Sequence, residues 1–261
     1  MERALLIVAL LCYLAPMIAR DDGRLRMLAA RWWVPAGVLL HIQGLTLAFF
    51  LEDVPLRSMT EGLGATALVV VLAREWWGRR PQMGGLRRIL LGVATVLLGL
   101  AIVAPAPEGE PLKQSPFFLA HIALVLTGFA GLALTFSMSA LYLVVQRRLK
   151  SKRLTDLGRL PSLDTLDRLI LRTMAFGFVS LTAGMVVGFA WAATQEVRLR
   201  PGDFTTLLSL GVWTWYAAGL VVRWLAGWRG RVAAVFGLGG FVVLFLMIGV
   251  GLVISGWHGL A

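Results

Sequence analysis

The run from Pro116 to Arg153, PFFLAHIALVLTGFAGLALTFSMSALYLVVQRRLKSKR, constrains this chain more than any other stretch. It opens on a proline suited to a helix start and carries His121 one turn in. About two dozen apolar residues follow before a dense basic cluster. About 20 helical residues cross the ~30 Å hydrocarbon layer of a bilayer, so this run has the reach to span one. Its Lys and Arg tail marks the cytoplasmic end, which puts His121 near the outer surface.

A long apolar helix can also lie inside a large soluble core, and here composition decides between the two. Hydrophobic residues make up 58% of the chain and charged ones 15%, with a mean hydropathy of +0.79. That balance belongs to a polytopic membrane protein. The net charge of +11 would suit a nucleic-acid binder only if the cations shared a folded face. Gathered in loops on one side of a membrane they serve topology, and no nucleic-acid partner is expected. Cys12 is the only cysteine and lies in an apolar run, so there is no disulfide framework and no cysteine-based metal or redox motif. The first segment lacks a small-residue cleavage pattern and is expected to be retained.

The chain reads as an all-α bundle of about eight spans, a single integral membrane domain over residues 1–261. The spans are expected near Arg3–Ala19, Arg31–Phe50, Glu61–Trp77, Ile89–Ala104, the helix from Pro116, Leu169–Ala193, Thr205–Ala226 and Ala233–Trp257. The longest connection, Arg147 to Arg168, carries Pro161, Ser162 and Asp164, which read as a turn into an amphipathic lead-in. Alternate loops collect 20 of the 25 Lys and Arg on one side, with eight of the 14 acidic residues on the other. Both termini are therefore expected outside.

With that sidedness His121 and His258, the latter in SGWHGLA, both fall at the outer face, at ends of different helices. His41 falls about ten residues into the second span, near mid-membrane. Imidazole suits iron, copper and zinc, and two imidazoles can bind haem iron from opposite faces. A structural zinc site needs four ligands, and the outer loops offer no further His or Cys. An interfacial histidine also commonly hydrogen-bonds a headgroup, a carbonyl or water, and spacing does not separate that role from ligation. His41 suits a buried hydrogen bond to a neighbouring helix as well as it suits ligation.

Other features have structural readings. Gly128, Gly131, Gly177, Gly184, Gly188, Gly237, Gly239 and Gly240 suit close helix approach. Arg172 and Arg223 sit near the cytoplasmic boundary, where a guanidinium can snorkel to water. Trp213 and Trp215 fall within the seventh span and could face a ligand, with packing the plainer reading. There is no Walker loop, no HExxH and no carboxylate pair at membrane depth.

From Phe117 to Ala261 the sequence resembles the cytochrome c assembly proteins of the CcsA/CcmC type, above all the short eight-span branch with the HemX-like proteins. The resemblance rests on HIALVLTGFAGLALTFSMSALYLVVQRRLK, LPSLDTLDRLILRTMAFGFVSLTAGMVVGFAWA, GWRGR and the last helix. It implies that His121 and His258 ligate the iron of a non-covalent, b-type haem at the outer side, with His41 matching a family histidine within the membrane. It also implies a bacterial cytoplasmic (inner) membrane location and other assembly proteins as partners. Full synthases of the family carry a tryptophan-rich WxWD segment in the outer loop between the two histidine helices. Here that loop is TQEVRLRPGDF, without tryptophan. Holding or delivering haem is thus the implied role, rather than an enzyme's, and Arg198 and Arg200 could pair with haem carboxylates or simply be solvated. Two other classes stay open on the residues alone. One is a scaffold or regulatory partner without haem, and the other a small-molecule permease, which would show repeated halves.

Overall fold

A computed structural model describes residues 2–18, 23–51, 59–78, 80, 83–104, 115–151, 160–194 and 204–258. At residues 23–30, 49–51, 59, 78, 204–205 and 247–258 the backbone alone is described. The described residues form eight helices and no strand: α1 (Glu2–Ile18), α2 (Gly23–Leu51), α3 (Met59–Gly78), α4 (Gly84–Val103), α5 (Pro116–Lys150), α6 (Leu163–Thr194), α7 (Phe204–Ala226) and α8 (Arg231–His258).

Each expected span corresponds to one helix, but several helices run past the apolar stretch. The second begins at Gly23 rather than Arg31, and the sixth at Leu163 rather than Leu169. Apolarity marks where a chain meets lipid, whereas hydrogen bonding continues through good helix formers such as Leu, Arg, Met and Ala. The expected lead-in before the sixth span is therefore the first turn of α6 itself. Ser162 caps it, its Oγ accepting from Thr165 N–H at 3.2 Å, and Asp164 pairs with Arg168 one turn on. The start of α5 is fixed in the same way: Ser115 accepts from Phe118 N–H at 3.2 Å and Pro116 occupies the first turn. At ~1.5 Å per residue the 35 residues of α5 extend roughly 50 Å, beyond a hydrocarbon layer.

Exposure shows which solvent this fold expects. Ile18, Leu39, Val179 and Leu246 are each more than 60% exposed, while Thr135, Ser137 and Ser139 are completely buried. Large aliphatic groups outside and hydroxyls inside suit lipid. Among the described residues, α4, α5 and α6 are long and apolar enough to cross a membrane by length and composition alone.

The chain groups into two compact units, residues 1–79 with 87–113, and residues 80–86 with 114–261. In the first, α1 packs along α2, with Gly37 against the Tyr13 ring and Gly44 against Leu6. Arg3 donates to Ala104 C=O at 3.2 Å, tying α1 to the end of α4.

The second unit is built on the antiparallel pair α5 and α6. Contacts step along it in constant register: Phe118 with Trp191, His121 with Gly188, Val125 with Gly184, Gly128 with Leu181 and Gly131 with Gly177. Thr135 and Thr173 close the series, their hydroxyls 2.9 Å apart. A Cβ at Gly131 would lie 2.7 Å from the Gly177 Cα, so the small residues set the interhelical distance. Gly131→Ala is expected to force the two backbones apart and cost about 1–3 kcal/mol. A lower melting temperature of the detergent-purified protein would show it, whereas an unchanged one would mean the helices part freely.

Around this pair, Tyr216 of α7 is fully buried and donates to Gly128 C=O at 3.2 Å. Phe136 of α5 stacks on Phe241 of α8 at 4.4 Å between centroids. Trp213 donates to Thr182 at 2.9 Å, and Trp215 stacks on Phe236 at 4.5 Å, so both tryptophans pack as expected. The reversal between α7 and α8 uses Gly227 and Gly230 at φ of 64° and 66°, where a side chain would be strained.

Arg223 departs from expectation. It does not snorkel; its guanidinium grips Asp167 at 2.7 and 3.2 Å, and the same carboxylate accepts from Gly230 N–H at 2.8 Å. Both side chains are largely buried, at 13% and 12% exposure. One carboxylate thus clamps the start of α6, the end of α7 and the turn into α8.

Candidate functional site

His121 stands on the face of α5 that packs against α6, and its ring is half-buried. Serine capping fixes where α5 begins, and therefore how far from the helix end the imidazole sits. Two features of α6 position the ring. The Nδ1 atom lies 2.7 Å from Gly184 C=O. A Cβ on Gly188 would come within 2.4 Å of Nδ1 and 2.5 Å of Cε1, so the ring occupies the space a side chain there would fill.

The chemistry follows from the acceptor. A carbonyl oxygen has no proton to give, so Nδ1 must carry the hydrogen and donate it. In the neutral ring Nε2 then holds the lone pair. A ligating histidine is normally oriented this way, one nitrogen donating to a backbone carbonyl while the other meets the metal. Two glycines one helical turn apart therefore do more than let helices approach. Gly184 offers its carbonyl and Gly188 leaves room for the ring. Their spacing signalled packing alone; only the α5–α6 register shows what lies above them.

One turn nearer the start of α5, Phe118 packs on Trp191 with ring centroids 4.8 Å apart. Ala192 and Ile122 complete this apolar layer. Trp191, three residues before the end of α6, is thus part of the layer next to His121.

His258 is the last residue of α8, in the same compact unit as His121. Its side chain lies outside the description, and Arg198 and Arg200 lie outside the described residues altogether. His41 belongs to the first unit. It is completely buried, as its depth in the second span suggested, and its Nδ1 sits 3.2 Å from the Tyr13 hydroxyl. Its Nε2 has no hydrogen-bond partner among the described residues, and it faces Gly64 of α3, where a Cβ would be 3.7 Å away. No group of three or more His, Cys, Asp or Glu gathers at a metal-binding distance among the described residues.

Sequence comparison converges on one family. The chain is 27% identical over 263 residues to a cytochrome c biogenesis protein CcsA of Synechococcus elongatus, covering 78% of each chain. It is 26% identical over 229 residues to the CcsA of Microcystis aeruginosa, covering 66% of this chain and 70% of that one. The CcsA of Chlamydomonas reinhardtii is 29% identical over 149 residues, or 57% of this chain and 41% of the relative. No solved structure matches. The sequence model of the cytochrome C assembly protein family matches residues 2–258, nearly the whole length. With its helical membrane bundle, the chain belongs to the cytochrome c assembly protein family.

Proposed function

We propose that this protein holds haem, non-covalently and as a b-type group, at the outer face of the bacterial cytoplasmic membrane, for hand-over during cytochrome c assembly. His121 and His258 would hold the iron. The observation that carries the reading is the commitment of His121 Nδ1–H to Gly184 C=O at 2.7 Å, which leaves Nε2 free for iron. The bound group supplies a redox-active iron. Held by two imidazoles, that iron would be suited to storage and transfer rather than oxygen chemistry.

The chain's own part is to bind and orient. The α5–α6 pair holds His121 rigidly, and Arg198 and Arg200 are suited to the porphyrin carboxylates. His41, buried and with no hydrogen-bond partner for its Nε2 among the described residues, is a third histidine able to meet haem, this one within the membrane. An outer loop without tryptophan supports carriage rather than catalysis, with other membrane proteins of the assembly route as partners.

The test is the visible spectrum of protein purified in detergent from haem-replete cells, oxidised and reduced. A Soret band with sharp low-spin reduced bands, lost or weakened in both His121→Ala and His258→Ala, is the expected result. A colourless protein that also takes up no added haem would overturn the reading.

A further inference from the structure

Trp191 carries an unmet chemical demand beside His121. It is 91% buried, being only 9% exposed, and its Nε1 has no hydrogen-bond partner among the described residues. Among the described residues of the second unit, the only other such atom is Ser139 Oγ. A serine hydroxyl can turn to a carbonyl of its own helix, as Thr135 and Ser137 do. An indole N–H is a donor only and cannot reach its own backbone in that way. Buried indole donors usually find an acceptor, so one left unpaired calls for an explanation.

Position supplies it. Gly188 and Trp191 are three residues apart on one face of α6, and His121 and Phe118 are three apart on the facing side of α5. The register stacks two layers, His121 on Gly188 and Phe118 on Trp191, roughly one turn or ~5 Å apart. The Trp191 layer is nearer the helix ends, on the side the charge distribution places outside. Haem has an apolar ring and an acidic edge. A ring bound by iron at the His121 level, with its carboxylates toward water, carries an anionic acceptor past the level of Trp191.

We propose that the Trp191 indole N–H is a carboxylate-recognition group that binds the acidic edge of the porphyrin held by His121, and so sets which way round the ring sits. This rests on the haem reading above. The N–H is shielded from water and without an acceptor among the described residues, and a carboxylate would reach it through a small shift of the indole edge that leaves its packing on Phe118 in place. The N–H then gains its acceptor, and the Phe118 stack holds the indole in place. Trp191 is thus a ligand-binding residue distinct from the loop arginines.

The test compares the full chain and Trp191→Phe, a change that keeps an aromatic ring on Phe118 while deleting the donor and trimming the ring, the trimming being controlled by the uncharged ester below. Each is titrated spectroscopically with haem, with haem dimethyl ester, whose carboxylates carry no charge, and with iron-free protoporphyrin. The expected result is haem and protoporphyrin binding weakened roughly ten- to a hundredfold, the loss of one hydrogen bond to a charged group. Ester binding should stay within about twofold, which also shows that the variant is folded. Protoporphyrin lacks iron, so His121→Ala should leave its affinity unchanged. Equal weakening of haem and ester, or weakening of neither, would overturn the assignment to Trp191 while leaving the histidine pair standing. A wild-type chain that binds none of the three would overturn both.

Discussion

Gly188→Ala is expected to abolish or severely weaken haem binding while leaving the melting temperature close to that of the native protein. The added methyl would sit 2.4 Å from His121 Nδ1 and 2.5 Å from Cε1. An ordinary contact needs about a further ångström, so the ring must move. Moving it breaks the bond to Gly184 C=O and redirects Nε2, and ligand geometry at a metal tolerates only about 0.2 Å. The fold loses little, because an imidazole near a helix end can swing aside whereas a backbone cannot. Combining Gly188→Ala with His121→Ala should add no further loss of haem, since the two act through one ring. A Gly188→Ala protein with native spectrum and affinity would show that His121 does not meet iron from this position.

The second large effect concerns stability. Asp167→Ala is expected to destabilise the second unit by about 3–5 kcal/mol, the range for removing one partner of a buried ion pair. The Arg223 guanidinium, 13% exposed, would keep its burial and lose both of its hydrogen bonds to Asp167. Gly230 N–H would lose its acceptor in a turn already held at φ 66°. Most of the cost lies in the abandoned charge, so Asp167→Ala with Arg223→Met should recover part of it. Thermal unfolding of the three purified variants provides the measurement. An Asp167→Ala protein as stable as the native one would mean that the clamp contributes nothing net.

Both predictions rest on residues whose sequence context suggested something plainer. Gly184 and Gly188 carry the spacing of a common helix-packing motif, and Arg223 lies where a guanidinium can reach water. The carboxylate that holds Arg223 is 56 residues earlier in the chain. Nothing local links the two, and the beginning of α6 read as a turn into an amphipathic lead-in. His41 was more legible. A histidine at mid-membrane must face protein, because lipid offers its ring nitrogens no partner. Its burial follows from depth alone, but its Tyr13 contact does not.

The sequence by itself determined the architecture. Apolar run length gave the number of helices, Pro116 marked where α5 begins, and loop charge set the expected sidedness. The resemblance carried by the stretch from His121 to the last helix pointed to the family that the whole-length match bears out. Only the tertiary structure decided what each helix face meets. In water an amphipathic helix announces its buried side. In lipid both sides are apolar, and small residues and buried hydroxyls specify that a face packs without naming its partner. The tautomer of His121, the unpaired indole of Trp191 and the Asp167 clamp all depend on which residue of a neighbouring helix lies opposite, and helical periodicity contains no such term.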